Sequence, residues 1–311
     1  MLGQTIVITG QTATGKTSYA LNLTKEIDGE LVNFDSRQIF KKLDVVAGKD
    51  LPRDSHFTLF TKQDNHQVGY YEVGKTRIWL YDIINPNQRF SSFDYSNLAK
   101  VVVEDILKRG KTPIFVGGTH LYLKQILYGT DVTVAPDWQL RKKLKNESVA
   151  SLQRKLRKIN SGIFNALNNS EANNPHRLIR KIEIASFPMC SLSFTPGVKE
   201  IYTLGRNVIR PKKIIGLRHK TNKLMRMRIK QRVEERLENG AVGEVKKIIK
   251  RGVSRDSQAF TSIGIRQIAN FIEGNLTKEE CVNEWTLREV QYAHRQLTFM
   301  RQDKKIIWHE I

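Results

Sequence analysis

The chain contains few of the residues that would define a secreted, zinc-binding or membrane protein. Its 311 residues include only two cysteines, Cys190 and Cys281, which lie far apart and form no CxxC motif. This argues against a disulfide framework and a zinc finger, and it favours a reducing compartment. No apolar run approaches the length that spans a membrane, and the N-terminus begins with a strand-like segment rather than a signal peptide. We therefore expect a cytoplasmic protein without membrane association.

Acidic residues are also scarce relative to basic ones. The chain has 31 Asp and Glu against 52 Lys and Arg, which gives a net charge of +21. Such an excess favours a polyanionic partner, most simply nucleic acid, although it could also serve solubility. Residues 201–233 hold no acidic residue and eleven basic ones, namely Arg206, Arg210, Lys212, Lys213, Arg218, Lys220, Lys223, Arg226, Arg228, Lys230 and Arg232. Solvated helix faces usually mix both signs, so this basic block favours phosphate contacts.

The clearest functional motif lies in residues 5–20, TIVITGQTATGKTSYA. A short β-branched run is followed by a full GxxxxGK(S/T) match and then by a helix-compatible segment, which is the context of a P-loop. The glycines allow backbone amides to surround phosphate oxygens, Lys16 supplies a mobile charge, and the Thr17 hydroxyl can bind Mg²⁺. The predicted diphosphate-binding residues are Gly10, Gln11, Thr12, Ala13, Thr14, Gly15, Lys16 and Thr17. We predict that the chain binds a diphosphate or a polyphosphate.

The rest of the pattern predicts an α/β fold, namely a P-loop NTPase-like core with a parallel sheet flanked by helices. A second strand, residues 30–34, ends at Asp35, and a third, residues 113–116, ends at Gly117 and Gly118. Ligands bind at the carboxyl ends of such strands, so Asp35 should lie beside the P-loop, where it is more than a helix N-cap. We predict the first part of the core over residues 1–135, a helical insertion domain over 136–205, and core completion with C-terminal helices over 206–311.

Seven blocks of sequence, in one order, resemble the bacterial tRNA dimethylallyltransferases, also called tRNA isopentenyltransferases. The resemblance covers nearly the whole chain. The blocks are GQTATGKT (10–17), FDSRQIFKKLDVVAGKD (34–50), GGTHLYLKQILYG (117–129), NPHRLIRKIEI (174–184), RIKQRVEERLENG (228–240), IGIRQI (263–268) and YAHRQLTFMR (292–301).

The resemblance implies transfer of a dimethylallyl group from dimethylallyl diphosphate to the exocyclic amine of the adenosine just 3′ of a tRNA anticodon. It implies that Asp35 is the general base, that Thr119 lies near the reacting groups, and that Arg228 is a further cationic contact to the diphosphate, with Mg²⁺ at Thr17. The implied contacts to the anticodon stem-loop are Asp35, Ser36, Arg37, Gln38, Arg141, His176, Arg177, Arg180, Gly264, Arg266, Gln267, His294, Arg295, Gln296, Thr298 and Arg301. We expect a monomer that extrudes the target base from its stack.

The chain departs from the family pattern at three places. Gln11 stands where Pro is usual in the P-loop, and His294 stands where Lys is usual. Residues 77–82 read RIWLYD, whereas the family commonly has a histidine pair before the aspartate, as in PHHLID. Any role of those histidines in positioning substrate is therefore missing here.

Three other functions also fit parts of the sequence. A P-loop kinase for a small molecule would account for the P-loop and Asp35 but not for the basic block or the C-terminal block. An isopentenyltransferase for free adenine nucleotides would share the chemistry but would not need the helices of residues 138–185. A non-catalytic RNA-binding P-loop protein would leave Asp35 and Arg228 unexplained.

Overall fold

The computed structural model describes residues 5–52, 54–63, 65–129, 135–187 and 209–311. Residue contacts divide the chain into two compact units, Met1–Tyr128 with Val208–Ile311, and Gly129–Asn207. We call them the core unit and the helical unit. Cys190, Arg206 and the predicted boundary after residue 205 lie outside the described residues, so the predicted domain bounds stay a prediction.

An eight-stranded sheet forms the centre of the core unit. Its strands are β1 (Ile6–Gly10), β2 (Gly29–Asn33), β3 (Phe57–Gln63), β4 (His66–Val73), β5 (Thr76–Trp79), β6 (Thr112–Val116), β7 (Lys213–Arg218) and β8 (Ile306–Glu310). They lie in the order β3-β4-β5-β2-β6-β1-β7-β8. The strands from β5 to β8 in this order are parallel, and β4 pairs antiparallel with both β3 and β5. The mainly parallel sheet agrees with the predicted fold.

Seven helices of the core unit are described: α1 (Lys16–Ile27), α2 (Ser92–Lys108), α3 (His120–Tyr128), α9 (Asn222–Glu238), α10 (Ala241–Lys250), α11 (Ile265–Ile272) and α12 (Lys278–Met300). Local sequence explains where several begin. Before α2, for example, Ser91 accepts a hydrogen bond from the Asp94 N–H, and the Asp94 carboxylate accepts one from the Ser91 N–H. No helix in the described part of the chain is long and apolar enough to cross a membrane.

The alternation of buried side chains along the strands gives the sheet two apolar faces. Val7 of β1 belongs to a large core on one face, whereas its neighbour Ile8 belongs to a smaller core on the other face, together with Ala20 of α1. Because β1, β2 and β6 are parallel neighbours, their carboxyl ends lie at the same edge of the sheet.

The helical unit contains five described helices: α4 (Trp138–Leu144), α5 (Val149–Ile159), α6 (Ser161–Asn165), α7 (Asn169–Ala172) and α8 (Pro175–Ser186). Its own small core is formed by leucine and isoleucine side chains, including Leu152, Leu156 and Leu178. Pro175 is at the start of α8, where its missing N–H costs nothing, and Asn174 caps this helix.

Two details of the core unit differ from the sequence-based expectation. The weak alternation over residues 56–80, interrupted by Gly69 and Gly74, predicts a hairpin with a strand over 78–81, but the structure has three strands, with β5 ending at Trp79. No strand is predicted from the sequence near the end of the chain, whereas the structure has β8 there, IIWHE.

Candidate active site

The P-loop connects β1 to α1 as the motif predicts. Gly10, Ala13 and Gly15 have positive φ angles of 131°, 57° and 71°. A side chain would also not fit at Gly10, since a Cβ there would lie 2.0 Å from the Leu217 carbonyl oxygen. The turn brings the N-terminus of α1, which begins at Lys16, to the carboxyl edge of the sheet, where its partial positive charge favours an anion.

Lys16 is held within the P-loop. Its Nζ donates a hydrogen bond to the Gln11 carbonyl oxygen at 2.5 Å. Burial, with a smaller contribution from the neighbouring Arg232 guanidinium, lowers the pKa of Lys16 to about 8, although Asp35 and Asp50 act in the opposite direction. An anion bound beside Lys16 would favour its charged form.

Asp35 lies just beyond β2, and hydrogen bonds to residues two positions away on either side fix its orientation. Its N–H donates to Asn33 Oδ1 at 2.9 Å, and its Oδ1 accepts from the Arg37 N–H at 2.9 Å. The next residue, Ser36, contacts Thr119 twice, because the Ser36 N–H donates to Thr119 Oγ1 at 2.9 Å and the two hydroxyls are 3.1 Å apart. Thr119 thus joins the end of β6 to the turn that carries Asp35.

A cavity of about 640 Å³ opens at this edge of the sheet. Several of the predicted site residues line it, namely residues 12–17, Asp35, Arg37, Gln38, Arg228, Arg295 and Gln296. Sequence reasoning missed other lining residues, including Asp50, Tyr81, Arg232, Arg236, Glu289 and Tyr292. The predicted general base therefore shares one cavity with six of the eight predicted diphosphate-binding residues, whereas Gly10, Gln11, Ser36 and Thr119 are not among the lining residues.

The segment that lacks the family's histidine pair contributes to this cavity in another way. Tyr81 lines the cavity near the apolar side chains Leu31 and Val116, and burial raises the pKa of its hydroxyl well above the usual range. Trp79 is fully buried and donates its indole N–H to Glu30 Oε2 at 2.8 Å. In place of imidazole groups, this segment contributes the Tyr81 ring to the lining of the cavity and the Trp79 ring to the core.

Three arginines on α9, spaced four residues apart, point to the cavity. They are Arg228, Arg232 and Arg236. Arg236 is buried, its Nη1 lies 3.5 Å from Glu289 Oε1, and burial lowers its pKa to about 10. The four-residue spacing was visible in the sequence and could have indicated that all three share one helix face.

The C-terminal block fixes the P-loop from α12. Gln296 Oε1 accepts from the Thr12 N–H at 2.8 Å, and Gln296 Nε2 donates to the Gly118 carbonyl oxygen at 2.9 Å. The Tyr292 hydroxyl also donates to the Gly118 carbonyl, at 3.3 Å. Because Gln296 is buried and bonded at both ends, the structure gives it a role in joining the P-loop to the end of β6.

Arg37 connects two of the segments predicted to contact tRNA. Its Nη1 donates to Thr261 Oγ1 at 3.1 Å and lies 3.4 Å from Ser262 Oγ. Nearby, Gln267 Oε1 accepts from the Gly264 N–H at 2.9 Å, which begins α11, and Arg266 Nε donates to the Phe260 carbonyl at 3.1 Å. Residues 35–38 and 261–268 thus lie side by side at the cavity.

The remaining predicted contacts lie on the surface of α12 or in the helical unit. His294 and Thr298 on α12 are exposed, and so is Arg301 directly after this helix. In the helical unit, His176 and Arg177 are exposed, whereas Arg141 and Arg180 bind the buried carboxylate of Glu183 at 2.6–2.8 Å. Among the described residues, no group of three or more His, Cys, Asp or Glu side chains could hold a metal ion.

Comparison with known proteins identifies the family. A family model described as IPP transferase matches residues 68–303. The tRNA dimethylallyltransferase of Thermoanaerobacter sp. (strain X514) is 30% identical over 307 residues, which are 98% of this chain and 91% of the relative. The tRNA dimethylallyltransferase of Anoxybacillus flavithermus (strain DSM 21510 / WK1) is 31% identical over 307 residues, covering 98% of this chain and 90% of the relative.

Solved structures agree in fold. The crystal structure of the full-length tRNA isopentenylpyrophosphate transferase from Bacillus halodurans matches with a TM-score of 0.64 and 27% identity, covering 99% of this chain and 90% of that chain. A eukaryotic dimethylallyltransferase acting on tRNA matches with a TM-score of 0.73, 19% identity, and coverage of 99% and 74%, which shows the fold alone. The predicted fold class is confirmed. With a family model that matches most of its length and a relative above 30% identity that spans nearly all of it, this chain belongs to the IPP transferase family.

Proposed function

We propose that this protein is a tRNA dimethylallyltransferase that forms N6-isopentenyladenosine at the adenosine 3′-adjacent to the anticodon. The observation that carries this proposal is the shared cavity, in which a P-loop for the leaving diphosphate and a carboxylate for the attacking amine face the same space. The names of the relatives, with nearly full coverage of this chain, support the same reaction.

The leaving group requires positive charge, because diphosphate leaves readily only when its developing charge is neutralised. Lys16, Arg228 and the N-terminus of α1 supply that charge at the cavity. The donor set also fits Mg²⁺, since the Thr17 hydroxyl lines the cavity and hard cations prefer oxygen ligands. When bound at Thr17, Mg²⁺ would neutralise charge on the diphosphate oxygens.

The attacking group requires a proton acceptor, because the lone pair of the adenine amine is delocalised into the ring. The amine nitrogen forms a bond to C1 of the dimethylallyl group, the C1–O bond breaks with its electron pair leaving on the diphosphate, and the amine proton moves to the Asp35 carboxylate. The bond from the Arg37 N–H to Asp35 Oδ1 holds this carboxylate in a fixed orientation. Thr119, which is bonded to Ser36, positions the same turn.

The acceptor is an anticodon stem-loop in this proposal. Arg37, Arg295 and the exposed Arg177 are the described cations that support RNA binding most directly, and the exposed imidazole of His176 lies next to Arg177 in the chain. A base inside a loop must leave its stack to reach the Asp35 carboxylate. A cytoplasmic location and a monomeric state are part of the same proposal.

One experiment tests this function against its alternatives. The protein is incubated with dimethylallyl diphosphate and an unmodified anticodon stem-loop, and the nucleosides are analysed by mass spectrometry. We expect N6-isopentenyladenosine, and an Asp35→Asn control should remove it. Preferential prenylation of AMP would indicate the free-nucleotide enzyme instead. ATP-dependent phosphorylation of a small molecule without prenyl transfer would indicate the kinase, and stem-loop binding without either reaction would indicate a non-catalytic protein.

A further inference from the structure

Arg232 lies on α9 one helical turn after Arg228, and two observations place it beside the P-loop. Its Nη1 lies 3.3 Å from Thr12 Oγ1, inside the cavity. It is also the charged group that most strongly lowers the pKa of Lys16. A guanidinium at this position presents a rigid pair of N–H donors, which suits neighbouring phosphate oxygens better than a single ammonium does.

The described anion nearest to this guanidinium is weakly held. Arg232 Nη2 lies 3.8 Å from Asp50 Oδ1, and the Asp50 side chain is 57% exposed. Exposed ion pairs of this kind contribute little free energy, so a more highly charged anion can displace the carboxylate. A ligand oxygen that bound to the Arg232 guanidinium would therefore compete with the Asp50 carboxylate.

The loop of residues 43–50, which contains Asp50, is held by the carboxylate of Glu244. The N–H groups of Asp44, Val45 and Val46 all donate to the Glu244 carboxylate, each at 2.9 Å. Glu244 lies in the first turn of α10. Three successive backbone donors on one carboxylate set the path of this loop.

A buried lysine fixes the far end of the same loop. Lys49 is fully buried, and its Nζ donates to the Phe40 carbonyl at 2.8 Å and to the carboxylates of Asp44 and Asp82 at 2.6 Å each. All three ammonium protons therefore have an acceptor, so Lys49 fixes the loop and is not a ligand-binding cation.

The loop backbone packs directly on the arginines of α9. Gly48 has a φ of +65°, and a Cβ there would lie 2.6 Å from Arg232 Nη2 and 1.9 Å from Arg236 Nη2. The position of the loop thus determines where the Arg232 guanidinium can lie.

We propose that Arg232 is a further diphosphate-binding residue, that its guanidinium exchanges the Asp50 carboxylate for a diphosphate oxygen, and that Glu244 is a positioning residue that holds the 43–50 loop against it. This rests on the proposed function, because it assigns a second α9 cation to the diphosphate of the same reaction. Arg228 then shares the leaving group with Arg232, while Arg236 stays bound to Glu289.

The binding test uses the full chain and inorganic pyrophosphate with Mg²⁺, measured by isothermal titration calorimetry. We expect Arg232→Gln to weaken pyrophosphate binding at least about tenfold, since a charge-assisted bidentate contact is lost. Arg232→Lys should fall between Arg232→Gln and the unchanged protein, and Asp50→Asn should tighten binding severalfold by removing the competitor. The matched control is Arg251→Gln, at an exposed arginine after α10, with unchanged affinity expected.

Two results would overturn this assignment. One is pyrophosphate affinity within twofold of the unchanged protein in a folded Arg232→Gln variant, and the other is weaker binding in Asp50→Asn. Failure of the proposed function looks different, because the unchanged protein would then bind pyrophosphate without prenylating the stem-loop.

The positioning role of Glu244 is tested by steady-state kinetics. We expect Glu244→Gln to raise KM for dimethylallyl diphosphate about fivefold or more while kcat stays within twofold, because the Gly48 backbone then no longer holds the Arg232 guanidinium in place, whereas Asp35 does not move. The control for lost stability is Glu280→Gln, which removes the carboxylate that caps α12 by accepting from the Thr277 N–H at 2.7 Å. A lower melting temperature in Glu244→Gln with unchanged KM would show a merely structural role and overturn the proposal.

Discussion

Both units of the protein place arginines around a buried glutamate, but they use them differently. In the helical unit, Arg141 and Arg180 bind Glu183 at 2.6–2.8 Å, and the Glu183 side chain is 1% exposed. In the core unit, Arg236 is 3.5 Å from Glu289, and Arg232 lies 3.8 Å from the exposed Asp50. The count of 52 Lys and Arg therefore overstates the number of cations that a polyanion can reach, because some of them are paired with carboxylates within the fold, pairs that the net charge of +21 already takes into account.

The basic block of residues 201–233 also offers fewer accessible cations than its composition suggests. Its residues Lys212 and Lys213 lie at the amino end of β7, whereas Arg218 and Lys220 lie at the carboxyl end. At about 3.3 Å per residue, the strand separates the two groups by about 17 Å. Arg218 also forms an ion pair with Glu310 at 2.7 Å. The basic residues of this block that the structure describes therefore do not all lie at the same edge of the sheet.

The largest expected effect comes from Asp35, the carboxylate in the core unit that is proposed to accept the proton. Asp35→Asn keeps the size of the side chain but removes the proton acceptor, so single-turnover prenyl transfer should fall about 10²–10⁴-fold. Stem-loop affinity, measured by fluorescence anisotropy, should change little. Transfer within tenfold of the unchanged protein would show that another group accepts the proton.

Removing cavity cations should have the next largest effect. Lys16→Ala and Arg228→Ala each remove charge aimed at the leaving diphosphate, and loss of one such stabilising group typically costs about 10²–10³-fold in rate. The measurement is kcat/KM over a range of dimethylallyl diphosphate concentrations. If both variants keep normal kinetics, the diphosphate binds at some other place.

The lowered pKa of Lys16 predicts a pH dependence that the arginines of the helical unit cannot produce. The ammonium form binds diphosphate, and with a pKa of about 8 it is lost from the empty cavity as the pH rises above that value. Hence kcat/KM for dimethylallyl diphosphate should fall about tenfold per pH unit above pH 8.

Arg232→Gln provides the sharper version of this test. Since Arg232 lowers the pKa of Lys16, its removal should raise that pKa and shift the fall in kcat/KM to higher pH, even if the maximum is lower. A flat profile between pH 7 and pH 9.5 in the unchanged protein would contradict the prediction.

The sequence predicted those parts of the site that depend on local motifs. The P-loop follows a β-branched run and Asp35 follows a short, partly apolar strand, so their place at the carboxyl edge could be inferred from the residues alone. Asp50, Glu289 and Glu244 could not be inferred in this way. Their importance depends on contacts between residues far apart in the chain, such as the three N–H groups of residues 44–46 on Glu244.

The fold was predictable to a similar extent. The strands predicted over residues 30–34 and 113–116 lie within one residue of β2 and β6, because short apolar runs determine them locally. The strand β8 was missed because its residues become a strand only by pairing with β7, for example Ile214 with Ile306.

A smaller effect, on stability rather than rate, is expected in the helical unit. Glu183→Gln removes the charge that Arg141 and Arg180 bind, and hydrogen bonds to charged groups contribute roughly 1.5–3 kcal/mol each. Thermal unfolding should show a clear loss of stability. Arg177→Gln is the control, because Arg177 is exposed and its side chain lies 3.4 Å from only Ser170 among the contacts described. Equal melting temperatures for both variants would show that Glu183 does not organise this unit.

The smallest effect is also the most direct test of which arginines a tRNA can reach. Each single-strand phosphate contact contributes about −0.7 to the slope of log affinity against log salt, and a handful of contacts should weaken binding about tenfold or more between low and moderate salt. Arg177→Gln should lower stem-loop affinity severalfold and make the salt slope shallower by about 0.7, since its guanidinium is exposed. Arg141→Gln should leave the slope unchanged while lowering the melting temperature, because this guanidinium is bound to Glu183 at 2.6–2.7 Å.

Both slopes are measured by fluorescence anisotropy of the stem-loop at four salt concentrations. If Arg141→Gln instead reduces the slope as much as Arg177→Gln does, then binding of RNA must release Arg141 from Glu183, and the distinction between neutralised and available arginines fails in this unit.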